Sequence, residues 1–336
     1  MPETILLTGV TGFIAKRIAL DLLNAGYSVR GSLRSLERRQ EVRDALIPWL
    51  GEPARIDALS FVELDLMHDD GWRGAVDGAD ALVHTASPFP MVQPKDPQDL
   101  IRPAVQGTER ALHAARNAGV HRVVMTSSVV AIEARDNPEG RAYTEDDWSD
   151  PEHPRSTAYY QSKTYAERAA WKIAAEHPEL RLTTINPALV LGTPLDAQYG
   201  TSLELVERML RGKDPMVPNI GFGVVDVADV SAMHIAALER PETAGERFIA
   251  SASSVWLPEL ARHLAKSFAD RRIPTRIAPR PVLGLLSLFD PTIRTILPAV
   301  GTKPTFDTRK AKERLGIDFT PWQTATLRAA EAIVAA

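Results

Sequence analysis

The chain has 336 residues, more than one compact core usually holds, so one large domain with an appended lobe, or two domains, is expected. Its 44% hydrophobic and 24% charged content is that of an ordinary globular protein, and a net charge of −4 offers no basic surface for nucleic acid or an anionic membrane. Cys is absent, which excludes disulfides, thiol nucleophiles and Cys-based metal sites and fits a cytoplasmic location.

The chain opens on an acidic residue and a short apolar run, not on a basic region with a signal core, so no secretory leader is expected. "TILLTG" (4–9) reads as the first strand. It leads into Gly9 and Gly12, with Ala15 as a third small residue, and then into a helix that ends at Gly26. In this G-x-x-G-x-x-A turn the first glycine permits the tight bend. The second lets backbone N–H groups approach a pyrophosphate at the helix N-terminus. Thr8, Thr11, Phe13 and Ile14 complete the turn as candidate cofactor contacts; the competing reading is a merely structural βαβ unit.

The second strand, "YSVRGSL" (27–33), decides which dinucleotide is held. An NAD site usually ends this strand with an acid for the ribose 2′-OH. Here stands Arg34, with Arg38 and Arg39 a turn later, and guanidinium groups suit the 2′-phosphate of NADP(H). The bland alternative is a solvated basic helix start. "SFVELD" (60–65) is the third strand, and Asp65 and Leu66 at its end are placed to meet the adenine. "ALVHTA" (81–86) is the fourth, followed by Thr85, Ala86 and Ser87 as further cofactor contacts. His84 reads as packed or cofactor-adjacent; with no second ligand at helical or turn spacing, no metal site is expected.

"RVVMTSS" (122–128) is the fifth strand. The acidic "EDDWSD" (145–150) reads as a solvated loop held by Trp148. "STAYYQSKTYAER" (156–168) reads as a helix on which Tyr159 and Lys163, four apart, share a face. Tyr160 points about 100° away and pairs with uncharged Thr164, so if one tyrosine does chemistry it is Tyr159. "RLTTINP" (181–187) is the sixth strand. Apolar strands separated by crossover helices predict a doubly wound parallel α/β sheet, a Rossmann-type domain over residues 1–188.

After residue 190, helical runs near 200–212, 227–239, 258–269 and 308–316 alternate with Pro-rich turns, predicting a smaller substrate lobe over residues 189–336. "VVDV" (224–227) and "RFIAS" (247–251) are expected to return to the sheet, making the lobe discontinuous. "PVLGLLSLFDPTIRTILPAV" (281–300) is broken by Asp290, Pro291 and Arg294, too interrupted to span a bilayer, and reads as a lid or lobe helix pair.

Taken together, "TGVTGFIA", "GYSVRGSLRS", "VELDL", "VHTASPF", "RVVMTSS", "YTEDDWSD", "YYQSKTYAERAAW", "INPALVLG", "VDVADVSAMHIAALE" and "KPTFDTRKAKERLGIDFTPW" run nearly end to end in the order and spacing of one group. The chain resembles the extended short-chain dehydrogenase/reductases, and within them dihydroflavonol reductases and related microbial carbonyl reductases. The resemblance implies a serine–tyrosine–lysine site. By motif position these are Ser128, with Ser127 on the opposite strand face, Tyr159 and Lys163. A free phenol, with a pKa near 10, is sluggish at neutral pH. The Lys163 ammonium is expected to lower it by about 1–3 units. The resemblance also has Lys163 hold the nicotinamide ribose and Ser128 orient the carbonyl. Pro187 and Val190 would border the nicotinamide, and Ser202 would touch a cofactor phosphate.

Many members carry an asparagine in the helix after the fourth strand that links the lysine to a water relay. Ala104 stands there, with Gln106 nearby, as in the dihydroflavonol-reductase-like group, so the proton-relay route is in doubt. The expected activity is NADPH-dependent reduction of a ketone or aldehyde. The apolar "SPFPM" (87–91) and 281–300 point to a hydrophobic or aromatic substrate. An NAD-retaining sugar-nucleotide epimerase or dehydratase is opposed by Arg34, and a non-catalytic dinucleotide sensor by Tyr159.

Overall fold

The computed structural model describes residues 2–87 and 96–335, so Pro88–Met91 of the expected substrate wall lie outside the described residues. Strand and helix alternate through the first half: β1 (Thr4–Thr8), α1 (Phe13–Asn24), β2 (Ser28–Leu33), α2 (Arg39–Leu46), β3 (Leu59–Glu63), α3 (Trp72–Val76), β4 (Ala81–His84), α4 (Gln98–Asn117), β5 (Arg122–Thr126), α5 (Ala158–Glu176) and β6 (Arg181–Pro187). There follow β7 (Leu189–Leu191), α6 (Thr201–Leu210), β8 (Val217–Pro218), β9 (Gly221–Asp226), α7 (Val227–Glu239), β10 (Arg247–Ala250), β11 (Ser253–Trp256) and α8 (Leu257–Ser267). The chain ends with β12 (Ile277–Ala278), α9 (Arg280–Leu286), α10 (Pro291–Ile296), α11 (Arg309–Leu315) and α12 (Trp322–Ala335).

Among the described residues a seven-stranded parallel sheet runs in the order β10-β6-β5-β4-β1-β2-β3. Each face is covered, which is why its strands are apolar runs and not alternating ones. Ile5 and Leu7 of β1 face α1, α2 and α7, packing with Ile18, Leu22, Val42, Val230 and Met233. Leu6, between them, faces α3, α4 and α5, where Trp72, Leu112, Ala166 and Ala170 lie. From β1 the chain moves outward through β2 and β3, then returns to β4 on the other side. That reversal opens a crevice at the carboxyl ends of β1 and β4, where such sheets hold ligands.

"RFIAS" does return to the sheet, as β10 beside β6. "VVDV" does not. Its first three residues belong to β9 in a three-stranded sheet, β11-β9-β7, against α6, α8 and α12, and Val227 begins α7. Side chains from neighbouring segments crowd β9 at Gly223. A Cβ on Gly223 would lie 2.9 Å from Ala188 Cβ and 2.9 Å from Phe306 Cε2, so glycine is required there. The 281–300 stretch forms α9 and α10 and leaves Leu285, Leu288 and Phe289 exposed. No described helix is long and apolar enough to cross a membrane.

The acidic run 145–150 is not a solvated loop. Glu145, Asp147 and Ser149 are buried. The Glu145 carboxylate accepts from Ile249 N at 3.1 Å, and Asp147 accepts from Arg135 and Arg141. Trp148 does hold the loop, with the Arg247 guanidinium 3.8 Å above its ring. Local acidity reads as solvation in sequence; Arg135 and Arg141, just upstream, pair with Asp147, while the Arg247 that draws the loop inward comes from distant β10.

Phe248 is the bulkiest fully buried aromatic of β10 and packs into the α1/α7 layer. Phe248→Ala should lower unfolding free energy by about 3–5 kcal/mol, read as the midpoint shift in urea.

Candidate active site

β1 leads into Gly9, whose φ of +70° is open to glycine. A Cβ there would also lie 3.0 Å from Ala86 Cα. The turn closes through Gly12 N to Gly9 O at 2.9 Å, and α1 begins at Phe13 with Gly12 as its N-cap. Among the described residues no side chain caps this end. Its first-turn N–H groups are therefore left for an anion in the crevice.

The crevice is a cleft of about 1060 Å³. Its walls include Gly9, Thr11, Gly12, Phe13 and Ile14 of the turn, Arg34 and Arg38 beyond β2, and Asp65 and Leu66 beyond β3. Thr85, Ala86 and Ser87 follow β4; Ser128, Tyr159 and Lys163 stand together; Pro187, Val190 and Ser202 close the far side. Of the predicted contacts only Thr8 is missing from the walls. It is fully buried, and its Oγ1 accepts from Thr85 N and Ala86 N, each at 3.1 Å. Its own proton then goes to His84 Nδ1, 2.9 Å away. Thr8 thus ties the β1 and β4 ends together beneath the cleft. His84 is neutral: burial, then the Lys163 charge, pushes it down to about 3.

Arg34 is exposed at the end of β2 and makes no hydrogen bond or ion pair with the described residues. Arg38 is engaged. Its Nε and Nη2 hold the Glu41 carboxylate at 3.0 and 2.9 Å, and Nη2 also reaches Gln198 Oε1 at 2.7 Å. Beside it, buried Lys16 of α1 pairs with Asp196, so the segment after β7 is strapped to the glycine-turn helix. Sequence reading missed Lys16; its signal is a lysine amid the small and apolar residues of α1.

Tyr159 and Lys163 are positioned by one face of α5, and Ser128 by the extended backbone beyond β5. The Ser128 side chain hydrogen-bonds the Tyr159 phenol, and its Oγ lies 3.3 Å from Pro187 O, to which it can donate. Tyr160 turns away and donates to Glu133 Oε1 at 2.9 Å. Ser127 donates instead to Glu167 Oε2 at 2.5 Å. Tyr159 and Lys163 lie on one face of α5, and although both Ser127 and Ser128 line the cleft, Ser128 is the one bonded to the Tyr159 phenol.

The expected lowering of the phenol is not found. Burial pushes Tyr159 up to about 12, and only the Ser128 hydrogen bond pulls against it. Lys163 is pushed down to about 8, again by burial, with the Glu167 carboxylate opposing. Both groups lose water, and that cost outweighs what they could gain from each other. On α4 the cleft face is Asp99, Leu100 and Pro103; Ala104 packs into the helix–sheet core and Gln106 lines a groove between α3 and α4. Neither lines the cleft that holds Lys163.

Residues 5–250 match the model of the NAD dependent epimerase/dehydratase family, and the chain belongs to that family, the extended type of short-chain dehydrogenase/reductase. It is 34% identical to cinnamoyl-CoA reductase 1 of Arabidopsis thaliana over 82% of this chain and 77% of that one. It is 30% identical to a putative anthocyanidin reductase of Ginkgo biloba, over 85% and 86%. The structure of yeast methylglyoxal/isovaleraldehyde reductase Gre2 complexed with NADPH superposes with a TM-score of 0.81 at 27% identity, covering 99% of this chain and 98% of that one.

Burial raises the Glu133 carboxyl from 4.5 to about 7, with the Tyr160 hydrogen bond and Arg155 opposing. Stability from a raised pKa is complete below the unfolded value and is lost as pH rises through the folded one. Gln cannot ionise. Glu133→Gln should therefore gain on the wild type between about pH 5 and pH 8, by on the order of 2 kcal/mol. Thermal denaturation across that range checks it, and a pH-independent difference would refute it.

Proposed function

We propose that the protein reduces a ketone or aldehyde to an alcohol with NADPH, with Tyr159 as proton donor, Ser128 orienting the carbonyl oxygen and Lys163 supporting both tyrosine and cofactor. The observation that carries this reading is the shared cleft. Ser128, Tyr159 and Lys163 line the same cavity as the glycine turn, so a carbonyl and a dinucleotide can meet there. The relatives named above support the reductase class, and the NADPH held by the yeast reductase supports the cofactor.

The residues present fit that cofactor. Gly9 and the uncapped start of α1 suit a pyrophosphate, and Arg34 offers a guanidinium where an NAD enzyme would carry an acid. When bound, NADPH supplies the hydride. The chain supplies the proton and the alignment. With its phenol near 12, Tyr159 holds its proton throughout the neutral range and is ready to donate as negative charge develops on the carbonyl oxygen. The Ser128 hydroxyl is placed to stabilise that oxygen. Lys163 changes charge near pH 8, so reduction should fall off above that pH as the ammonium is lost. The cinnamoyl group in the name of one relative is aromatic, which supports a hydrophobic or aromatic substrate.

Consumption of NADPH with a panel of aromatic and aliphatic ketones and aldehydes tests the activity. Tyr159→Phe should cut kcat by roughly a hundred- to ten-thousand-fold with NADPH binding retained, whereas Tyr160→Phe should remain active. Ser128→Ala should lower kcat more than Ser127→Ala; the reverse ranking in either pair would sink the assignment.

For the cofactor, a charge-assisted hydrogen bond contributes about 1.5–3 kcal/mol. Arg34→Ala should raise the KM for NADPH by roughly ten- to a hundred-fold while NADH is little affected. Equal losses with both would make Arg34 structural, and a wild type preferring NADH would favour an epimerase-like enzyme.

A further inference from the structure

Glu167 is fully buried on α5, one turn beyond Lys163. Its Oε2 accepts from Ser127 Oγ at 2.5 Å and Asn186 Nδ2 at 2.7 Å. Its Oε1 accepts from Arg247 Nε at 2.7 Å, Thr184 Oγ1 at 3.0 Å and Trp171 Nε1 at 3.3 Å. Asn186 Nδ2 also reaches the Ser128 carbonyl at 3.2 Å. A buried ion pair is a poor way to hold α5, β6 and β10 together, since packed apolar residues of similar volume do so at equal or lower cost. What the carboxylate provides that an apolar side chain cannot is charge and directed acceptors, and both are aimed at the reacting groups.

We propose that Glu167 is a positioning residue: through Asn186 and Ser127 it fixes the backbone that presents Ser128, and its negative charge keeps the Lys163 ammonium in place. The role rests on reading Ser128, Tyr159 and Lys163 as the reacting set. The groups facing Lys163 are few. On its own helix stand Tyr159, a neutral phenol, and Glu167; from β4 comes neutral His84. Arg247 of β10 touches Glu167 and offsets part of its charge. Glu167 is thus the anion that opposes the loss of the lysine proton on burial.

Glu167→Gln keeps the shape and removes the charge. The alkaline limb of kcat/KM for carbonyl reduction should then move to lower pH by about one unit. Glu167→Asp should restore it most of the way. Because Gln leaves the Arg247 guanidinium unmatched, the pair Glu167→Gln with Arg247→Met is measured beside it and should show a smaller shift in the same direction, since the offsetting positive charge is removed along with the carboxylate. The pH dependence of NADPH affinity, followed without any carbonyl, should move in parallel, since Lys163 faces an anionic cofactor. Rates reduced equally at every pH, with limb and binding curve unmoved, would make Glu167 a structural brace and overturn the proposal. A wild type that binds NADPH but reduces no carbonyl would overturn the reductase reading instead, and the binding curves alone would then decide for or against Glu167.

Discussion

A carboxylate cut off from water must be ringed by donors, and meeting that demand at Glu167 organises half of the molecule. The donors come from the end of β5, from β6, from α5 itself and from β10. β5, β6 and β10 are far apart in sequence and adjacent in the sheet, so satisfying one side chain fixes their mutual register. Arg247 carries the constraint outward. Its Nη1 donates to the carbonyls of Glu145 and Asp147, and its guanidinium lies over Trp148. The loop that reads as solvated is thereby drawn into the interior.

The other half of the sheet obeys a backbone constraint. β1 must turn sharply beneath Ala86, and Gly9 allows it. Thr8 then ties the ends of β1 and β4, so the floor of the cleft is held from below while the glycine turn is left open above. Lys16 and Arg38 join this half to the segment after β7, through Asp196 and Gln198. The cleft is therefore walled by both halves of the chain.

Burial sets the electrostatics. It raises Tyr159 and Glu133 and lowers Lys163, His84 and His234, each toward its neutral form. His234 shows the structural use of this: its ring lies 2.7 Å from both Thr126 Oγ1 and the Val230 carbonyl, a satisfied neutral imidazole deep in the core. In such surroundings a formal charge persists only where a partner is provided. Lys163 has Glu167 for that purpose, and Glu167 has Arg247.

The parallel strands were legible in the sequence because a sheet covered on both faces needs uninterrupted apolar runs, and 4–9, 81–86 and 122–128 are such runs. Tyr159 and Lys163 were legible because helical periodicity is local: four residues bring them to one face whatever surrounds the helix. The glycine turn was legible for the same reason, since φ and Cβ constraints act within a few residues. Tertiary structure alone decided the rest. It sent β9 to a second sheet, buried the acidic loop, engaged Arg38 while leaving Arg34 open, and raised the phenol that charge spacing predicted would fall. Each of these outcomes depends on how the chain packs in three dimensions, through remote partners such as Gln198 for Arg38 and Arg247 for the acidic loop, or on how much water is removed, and neither is written in local spacing.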